Sequence, residues 1–514
     1  MSAPAAALNT PALNTPALNA LPLNASASAA PTASARATAP AAARTGPAPA
    51  APVPAAPAPA GPVPSGAAPS GVPAACDGPL PVLGNDVLVP LADGGEVPYA
   101  ALDCAASAPV LRRVWDDVAA YAPCYGSVHR GAGHLSQLST RIYEESRAEV
   151  ARFLGCRPGD QVVFTRSTTD SLNLLAAALP PGTRVYVFET EHHAALLPWR
   201  NADVTYLDAP RSPAAAVATL ERALSAGGPG GPALACVTGA SNVTGELWPV
   251  RELAAVAHAH GARIVLDAAQ LAPHRPVDIA ELDVDWAAFS GHKLYAPFGT
   301  GVLAGRPDWL RDAEPYLAGG GAVRTVARNT GGGLDVRWHT GEARHEAGSP
   351  NVIGAHAVAS ACRALTEAGP DRLVAREERL TARLREGLAA VPGVRQLSLF
   401  GDDAPRVGVV SFVVDGLHSS ELAEALSAEY GIGVRDGLFC AHPLVRTLLG
   451  GDTAGRGEEC GAPAPADAPG APGGVELRAV RVSFGAGTPE EHIDRFTGAV
   501  AALARRAGGQ GRRR

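Results

Sequence analysis

Lysine is almost absent from this chain: of the 43 Lys and Arg positions in 514 residues, only Lys293 is a lysine. On a solvated surface a guanidinium replaces an ammonium with little consequence, so the scarcity isolates the one place where arginine does not serve. Arginine keeps its proton, whereas a lysine whose pKa is depressed by burial or neighbouring positive charge attacks carbonyl carbon and forms a Schiff base. A chance survivor is the plain alternative. Its setting, Phe289-Ser290-Gly291-His292-Lys293-Leu294, argues for the chemical reading.

Other shortages exclude whole classes. No run of about 18 apolar residues occurs, so no membrane span is expected. A net charge of −7 leaves no general nucleic-acid footprint, and the closing Arg512-Arg513-Arg514, in a basic tail at 506–514, is short. The eight cysteines follow no CxxC spacing. That argues against a metal site and a secreted disulfide scaffold, and for the reducing cytoplasm.

Residues 1–75 contain little but Ala, Pro, Ser, Thr, Asn, Leu and Gly, and repeat Pro-Ala-Leu-Asn-Thr near the start. Without branched and aromatic side chains to offset ordering entropy, this tail reads as disordered. It makes a poor secretory signal, because no positive charge precedes its apolar part and the first arginine is Arg36. From about Leu102, short β-branched runs alternate with helical patterns, the mark of an α/β fold with a mostly parallel sheet covered by helices. We place an N-terminal arm and large domain at 76–350. Its strands are expected at 162–165, 184–188, 234–238, 263–267 and 286–290. Residues 351–505 read as two long helices, 353–369 and 371–390, followed by a smaller α+β unit. That unit has strands near 407–414, 431–435 and 477–484 and a final helix near 489–506. A Gly/Ala/Pro-rich insertion at 450–474 exceeds the roughly 12–15 residues of an ordered structureless loop and reads as mobile.

In open α/β sheets ligands bind outside the carboxyl ends of the strands. Here polar residues follow five expected strands: Ser167-Thr168-Thr169, Glu191-His192, Ser241-Asn242, Asp267 with Gln270, and Ser290 with His292 and Lys293. A lysine that captures a carbonyl cofactor requires an anion pocket, a carboxylate for a ring nitrogen and a flat face for the ring. Ser167, Thr168 and Thr169 at a strand-to-helix junction answer the first, although alone they are equally an ordinary helix cap. Asp267, ending Ile264-Val265-Leu266, answers the second; alone it could cap the next turn. His192 supplies a face for stacking, and Gln270 and Asn242 carry amides suited to a phenolic oxygen.

The segments Glu191-His192-His193-Ala194, Asp267-Ala268-Ala269-Gln270 and Ser290-Gly291-His292-Lys293-Leu294-Tyr295 resemble the class V aminotransferases, specifically the cysteine desulfurase and selenocysteine lyase group. Further matching segments include Val128-His129-Arg130-Gly131, Thr168-Thr169-Asp170-Ser171, Gly319-Gly320-Gly321 and Ala347-Gly348-Ser349-Pro350-Asn351. The resemblance, over about 99–505, implies the fold type I of pyridoxal 5′-phosphate (PLP) enzymes and a homodimer. It implies PLP on Lys293, with Thr169, Ser290 and His292 at the phosphate, Asp267 at the pyridine nitrogen, Gln270 at the phenolic oxygen and His192 on the ring. Substrate contacts fall on Arg481, Asn242 and His129, with Arg481 taking an amino-acid carboxylate in a bidentate fork.

PLP supports many reactions. Cys440, in Gly437-Leu438-Phe439-Cys440-Ala441-His442, sits where desulfurases of this group carry the cysteine that accepts sulfur, and a thiolate there would become a persulfide for a sulfur-acceptor protein. Most free cysteines are instead small buried apolar groups. We expect that of Cys104, Cys156, Cys236 and Cys362. Two departures stand out: Phe439 replaces a histidine common before this cysteine, and Ala195 an asparagine common after the paired histidines. A different PLP reaction, as in an aminotransferase, epimerase or other lyase, is the alternative reading. A catalytically silent binding or assembly protein is a third.

Overall fold

The computed structural model describes residues 78–228, 230–450 and 477–511. The described residues all fall within one unit, Pro73–Arg514. The expected disorder of 1–75, nearly all of the 450–474 insertion and the terminal arginines lie outside the described residues.

Seven strands build the main sheet: β1 (Gln161–Thr165), β2 (Arg184–Phe188), β3 (Asp203–Leu207), β4 (Ala233–Thr238), β5 (Arg263–Asp267), β6 (Trp286–Ser290) and β7 (Gly301–Gly305). Their order is β1-β7-β6-β5-β4-β2-β3, with β7 antiparallel to both of its neighbours and the other pairings parallel. Arg263–Asp267 carries the unbroken apolar run Ile264-Val265-Leu266 because both faces of the sheet are covered. Successive residues therefore enter different cores. Ile264 and Leu266 join one apolar cluster and Val265 another.

Sequence periodicity anticipated five of these strands and missed two. Strand β3 lies at the sheet edge with three of its five residues exposed, so it has no clear apolar alternation. Strand β7, Gly-Val-Leu-Ala-Gly, is too short and glycine-bounded to stand out, yet it is fully buried.

Helix α1 (Thr168–Ala177) starts directly after β1, capped by Ser167 Oγ, which accepts from Asp170 N at 3.3 Å. Helices α2 (Val352–Glu367) and α3 (Pro370–Ala389) lead to a four-stranded antiparallel sheet. Its strands are β8 (Val394–Gln396), β9 (Val409–Val414), β10 (Arg435–Gly437) and β11 (Ala479–Ser483), ordered β8-β9-β11-β10. Leu384, Leu388, Phe412, Val480, Val482 and Phe496 fill its core. The arm threads between the two sheets: Ala100 and Ala101 pair in parallel with Ile432 and Gly433, and Asp103 bridges to Ser483. Among the described residues no helix is long and apolar enough to cross a membrane.

Candidate active site

The carboxyl ends of β1, β4, β5 and β6 open into a cavity of about 220 Å³, closed from the other side by β10, β11 and the arm. Lys293 lies three residues beyond β6, in a turn where its N–H donates to Ser290 O at 3.2 Å. Removal of its amine from water, with Arg481 adding to the effect and Asp267 opposing it, brings its pKa down from 10.5 to about 8. Roughly a tenth of the amine is thus unprotonated at pH 7, against well under a thousandth for a free lysine.

Asp267 ends β5. Its Oδ1 accepts from Ala269 N at 2.9 Å, and burial raises its pKa although that hydrogen bond and Lys293 both favour the charged form. Behind it, Glu191 is fully buried, with one oxygen accepting from Thr238 N at 2.9 Å. Burial and the neighbouring Asp267 push the pKa of its carboxyl well above the usual range. His192 accepts from Ala194 N through Nδ1 at 3.0 Å, which places its ring proton on Nε2. Burial first, then Lys293, holds its pKa down at about 3, and the ring is neutral.

Hydroxyls and the N–H groups of a first helical turn gather at the β1–α1 junction. Thr168 N donates to Ser290 Oγ at 2.7 Å, and the two hydroxyls are also 2.7 Å apart. Ser167 and Thr169 line the same wall, as does His292, whose Nδ1 meets Ser107 Oγ at 2.7 Å. Ser107, on the arm, carried no sequence signal because its partner is 185 residues away.

Arg481 is buried beneath the cavity floor, donating to Asp103 Oδ1 at 2.7 Å and Asn242 O at 3.1 Å. Directly across the ladder from it stands Arg435, which also lines the cavity and was missed in the sequence reading. Two guanidiniums on paired strands repel, an arrangement that favours an anionic ligand between them. Asn242 lines the cavity, but its Nδ2 donates to Phe439 O at 2.8 Å, so the amide braces the 438–442 turn.

Cys440 lines the wall near His192 and Lys293, and also lines an adjoining outer cleft with His193, Leu197 and Tyr206. Of the four cysteines expected as buried packing groups, Cys104, Cys236 and Cys362 are buried, whereas Cys156 is half-buried. The site brings together the expected residues except His129. That side chain pairs with Glu144 at 2.9 Å and borders a different, polar cavity beside Arg130, Arg147 and Glu346. A motif match placed His129 near the substrate; within one chain the topology puts it elsewhere.

A mixed sheet whose strand ends bring together an amine of depressed pKa, the buried carboxyl of Asp267 and a neutral imidazole defines a class of carbonyl-cofactor enzyme. Residues 100–496 match the family model "Aminotransferase class-V", and the chain belongs to that family. It is 37% identical over 376 residues to a probable cysteine desulfurase of Halobacterium salinarum, covering 72% of this chain and 87% of the relative. It is also 37% identical to a cysteine desulfurase of Dickeya dadantii, covering 68% of this chain and 84% of the relative. Among solved structures, the apo cysteine desulfurase of Thermococcus onnurineus NA1 superposes with a TM-score of 0.66 at 30% identity, over 79% of this chain and 95% of the other. The cysteine desulfurase CsdA (S-sulfonic acid) of Escherichia coli gives a TM-score of 0.64 at 29% identity, over 80% and 95%.

The family is PLP-dependent, and so is this enzyme. The cavity fits that group on its own chemistry: an amine for an aldehyde, a buried carboxyl for a pyridine nitrogen, a neutral ring face, and hydroxyls at a helix start for a phosphate. Gln270 donates Nε2 to Ala105 O at 2.7 Å, and its buried Oε1 has no partner among the described residues.

Proposed function

We propose that the protein is a cysteine desulfurase, converting L-cysteine to L-alanine and carrying the sulfur as a persulfide on Cys440. One observation carries this reading: Cys440 shares a cavity wall with Lys293, His192 and Arg481. Lys293, Asp267 and His192 would hold PLP, with Ser167, Thr168, Thr169, Ser290 and His292 around its phosphate. When bound, PLP supplies an electron sink for carbon-centred negative charge. Arg481, with Arg435 beside it, binds the substrate carboxylate. Lys293, poised near pH 8, takes the α-proton and returns a proton to carbon. Cys440 Sγ forms an S–S bond with the substrate sulfur as the substrate's Cβ–S bond breaks. Cysteine plus the enzyme thiol thus gives alanine plus enzyme persulfide, with no net oxidation.

The test is alanine and sulfide release from L-cysteine by PLP-loaded enzyme, with dithiothreitol as sulfur acceptor. Cys440→Ala should lower turnover about 10²-fold or more while leaving the cofactor absorbance intact. Wild-type turnover in that variant, or turnover confined to another amine donor, would overturn the reading in favour of another PLP reaction. We further propose a cytoplasmic homodimer that passes sulfur to an acceptor protein. The hairpin formed by Val323–Arg328 and Leu334–Trp338 supports the dimer, since its cross-strand pair Val326 and Val336 and the nearby Leu334 lie exposed. A monomeric mass by sedimentation would count against it.

A further inference from the structure

Phe439 and Cys440 both have left-handed backbones, with φ of 52° and 54°. Neither is glycine, and two consecutive residues in this region persist only where the surroundings hold them. On the Phe439 side the holders are plain: Asn242 Nδ2 donates to Phe439 O at 2.8 Å, and the Arg481 guanidinium lies 5.1 Å from the Phe439 ring centre. On the Cys440 side, His193 N donates to Cys440 O at 2.8 Å. Two residues further on, His442 opens the helix His442–Leu448, and its ring meets that of His193 edge to face with centroids 4.6 Å apart.

The geometry points to the His193–His442 ring contact as a latch that positions Cys440, clamping its turn so that the thiol stays on the wall shared with Lys293. This rests on the reading of Cys440 as the sulfur carrier and adds a positioning role that falls on neither PLP nor substrate. His193 is anchored twice, through its backbone to Cys440 and through its ring to His442, so the helix start, the strained turn and the residue after His192 move as one. Burial and the neighbouring His442 keep the His193 pKa below its usual value, which favours a neutral His193 ring beside His442. The contact also gives a structural part to a histidine on the far side of a cysteine that is preceded by Phe439.

The experiment measures alkylation of Cys440 by iodoacetamide in the PLP-loaded enzyme, by peptide mass spectrometry, beside the kinetics of alanine formation. In His442→Ala, Cys440 should alkylate several-fold faster as its turn opens, with Cys236 and Cys362 still protected. Its kcat should fall about 10- to 100-fold through misplacement of the thiol, at unchanged KM. His442→Phe, which keeps an aromatic edge and removes the nitrogens, should restore both. His193→Ala, which keeps the backbone N–H, should reproduce His442→Ala and serves as the second probe if the first variant exposes Cys236. Alkylation of Cys440 that is unchanged or slower in the folded alanine variant overturns the latch, as does a His442→Phe enzyme no better than His442→Ala, which would assign the role to an imidazole nitrogen. If Cys440→Ala retains full desulfuration, the sulfur-carrier reading fails, while the alkylation comparison still decides the latch.

Discussion

Lys293 owes its reactivity to the water it has lost. In free solution an amine with a pKa of 10.5 is almost wholly protonated at neutral pH, and burial here moves it to about 8. The rate at which cofactor-free enzyme captures PLP should therefore rise about tenfold per pH unit below pH 8 and level off above it, followed by absorbance in stopped flow. Lys293→Arg should give no borohydride-fixed adduct at any pH, since the guanidinium keeps its proton. Asp267 shows the opposite side of desolvation. Its folded-state pKa is raised above the unfolded value, so the charged form costs stability once pH rises through the folded value, and that cost persists at pH 7. Asp267→Asn should accordingly leave the cofactor-free protein as stable or about 1 kcal/mol more stable at pH 7 by thermal unfolding. The same variant should lose turnover by orders of magnitude, because an amide does not pair with a protonated ring nitrogen. A loss of apo stability would contradict this account.

At the scale of elements, the site depends on how closely β7 approaches the start of α1. A Cβ at Gly301 would lie 2.5 to 2.6 Å from the backbone of Ser167, closer than nonbonded atoms approach, so only glycine lets the antiparallel strand pass the β1–α1 junction. Gly301→Ala should destabilise the fold by about 1–3 kcal/mol, measured by urea unfolding, and weaken PLP retention as Ser167 is pushed aside. Strand β7 carries no polar side chain and drew no attention as sequence, yet it sets the spacing between Ser290 on β6 and Thr168 on α1. The two-strand register that places Arg435 opposite Arg481 is likewise a property of paired elements. Neither arginine is marked as a neighbour of the other by the 45 intervening positions.

For the molecule as a whole, the cavity is walled by the main sheet on one side and by the small sheet and the arm on the other. Asp103 on the arm, Asn242 in the loop beyond β4 of the main sheet and Arg481 from the small sheet are joined by two hydrogen bonds. A ligand gripping both walls should stabilise both cores together. Calorimetry should find one unfolding transition for residues 73–514 that shifts upward with PLP, with a gain of about 2.7 kcal/mol when free PLP is 100-fold above its Kd. Two transitions, of which only one responded to PLP, would mean that the walls unfold separately.

Much of this was legible beforehand for a physical reason. The α/β class, five main strands and the meeting of the proposed cofactor residues at the strand ends follow from local pattern, because each of these groups sits within a few residues of the strand that aims it. Lys293, Asp267, His192 and the Ser167–Thr169 junction are of this kind. What depends on closure across hundreds of residues was not legible: the partnership of Ser107 with His292, Arg435 beside Arg481, the placement of His129 away from the cavity, and the contact of His193 with His442. A chain's own order determines which chemistry each strand end presents. Only tertiary packing decides which strand ends meet, because a distance across the fold is set by the cores between them.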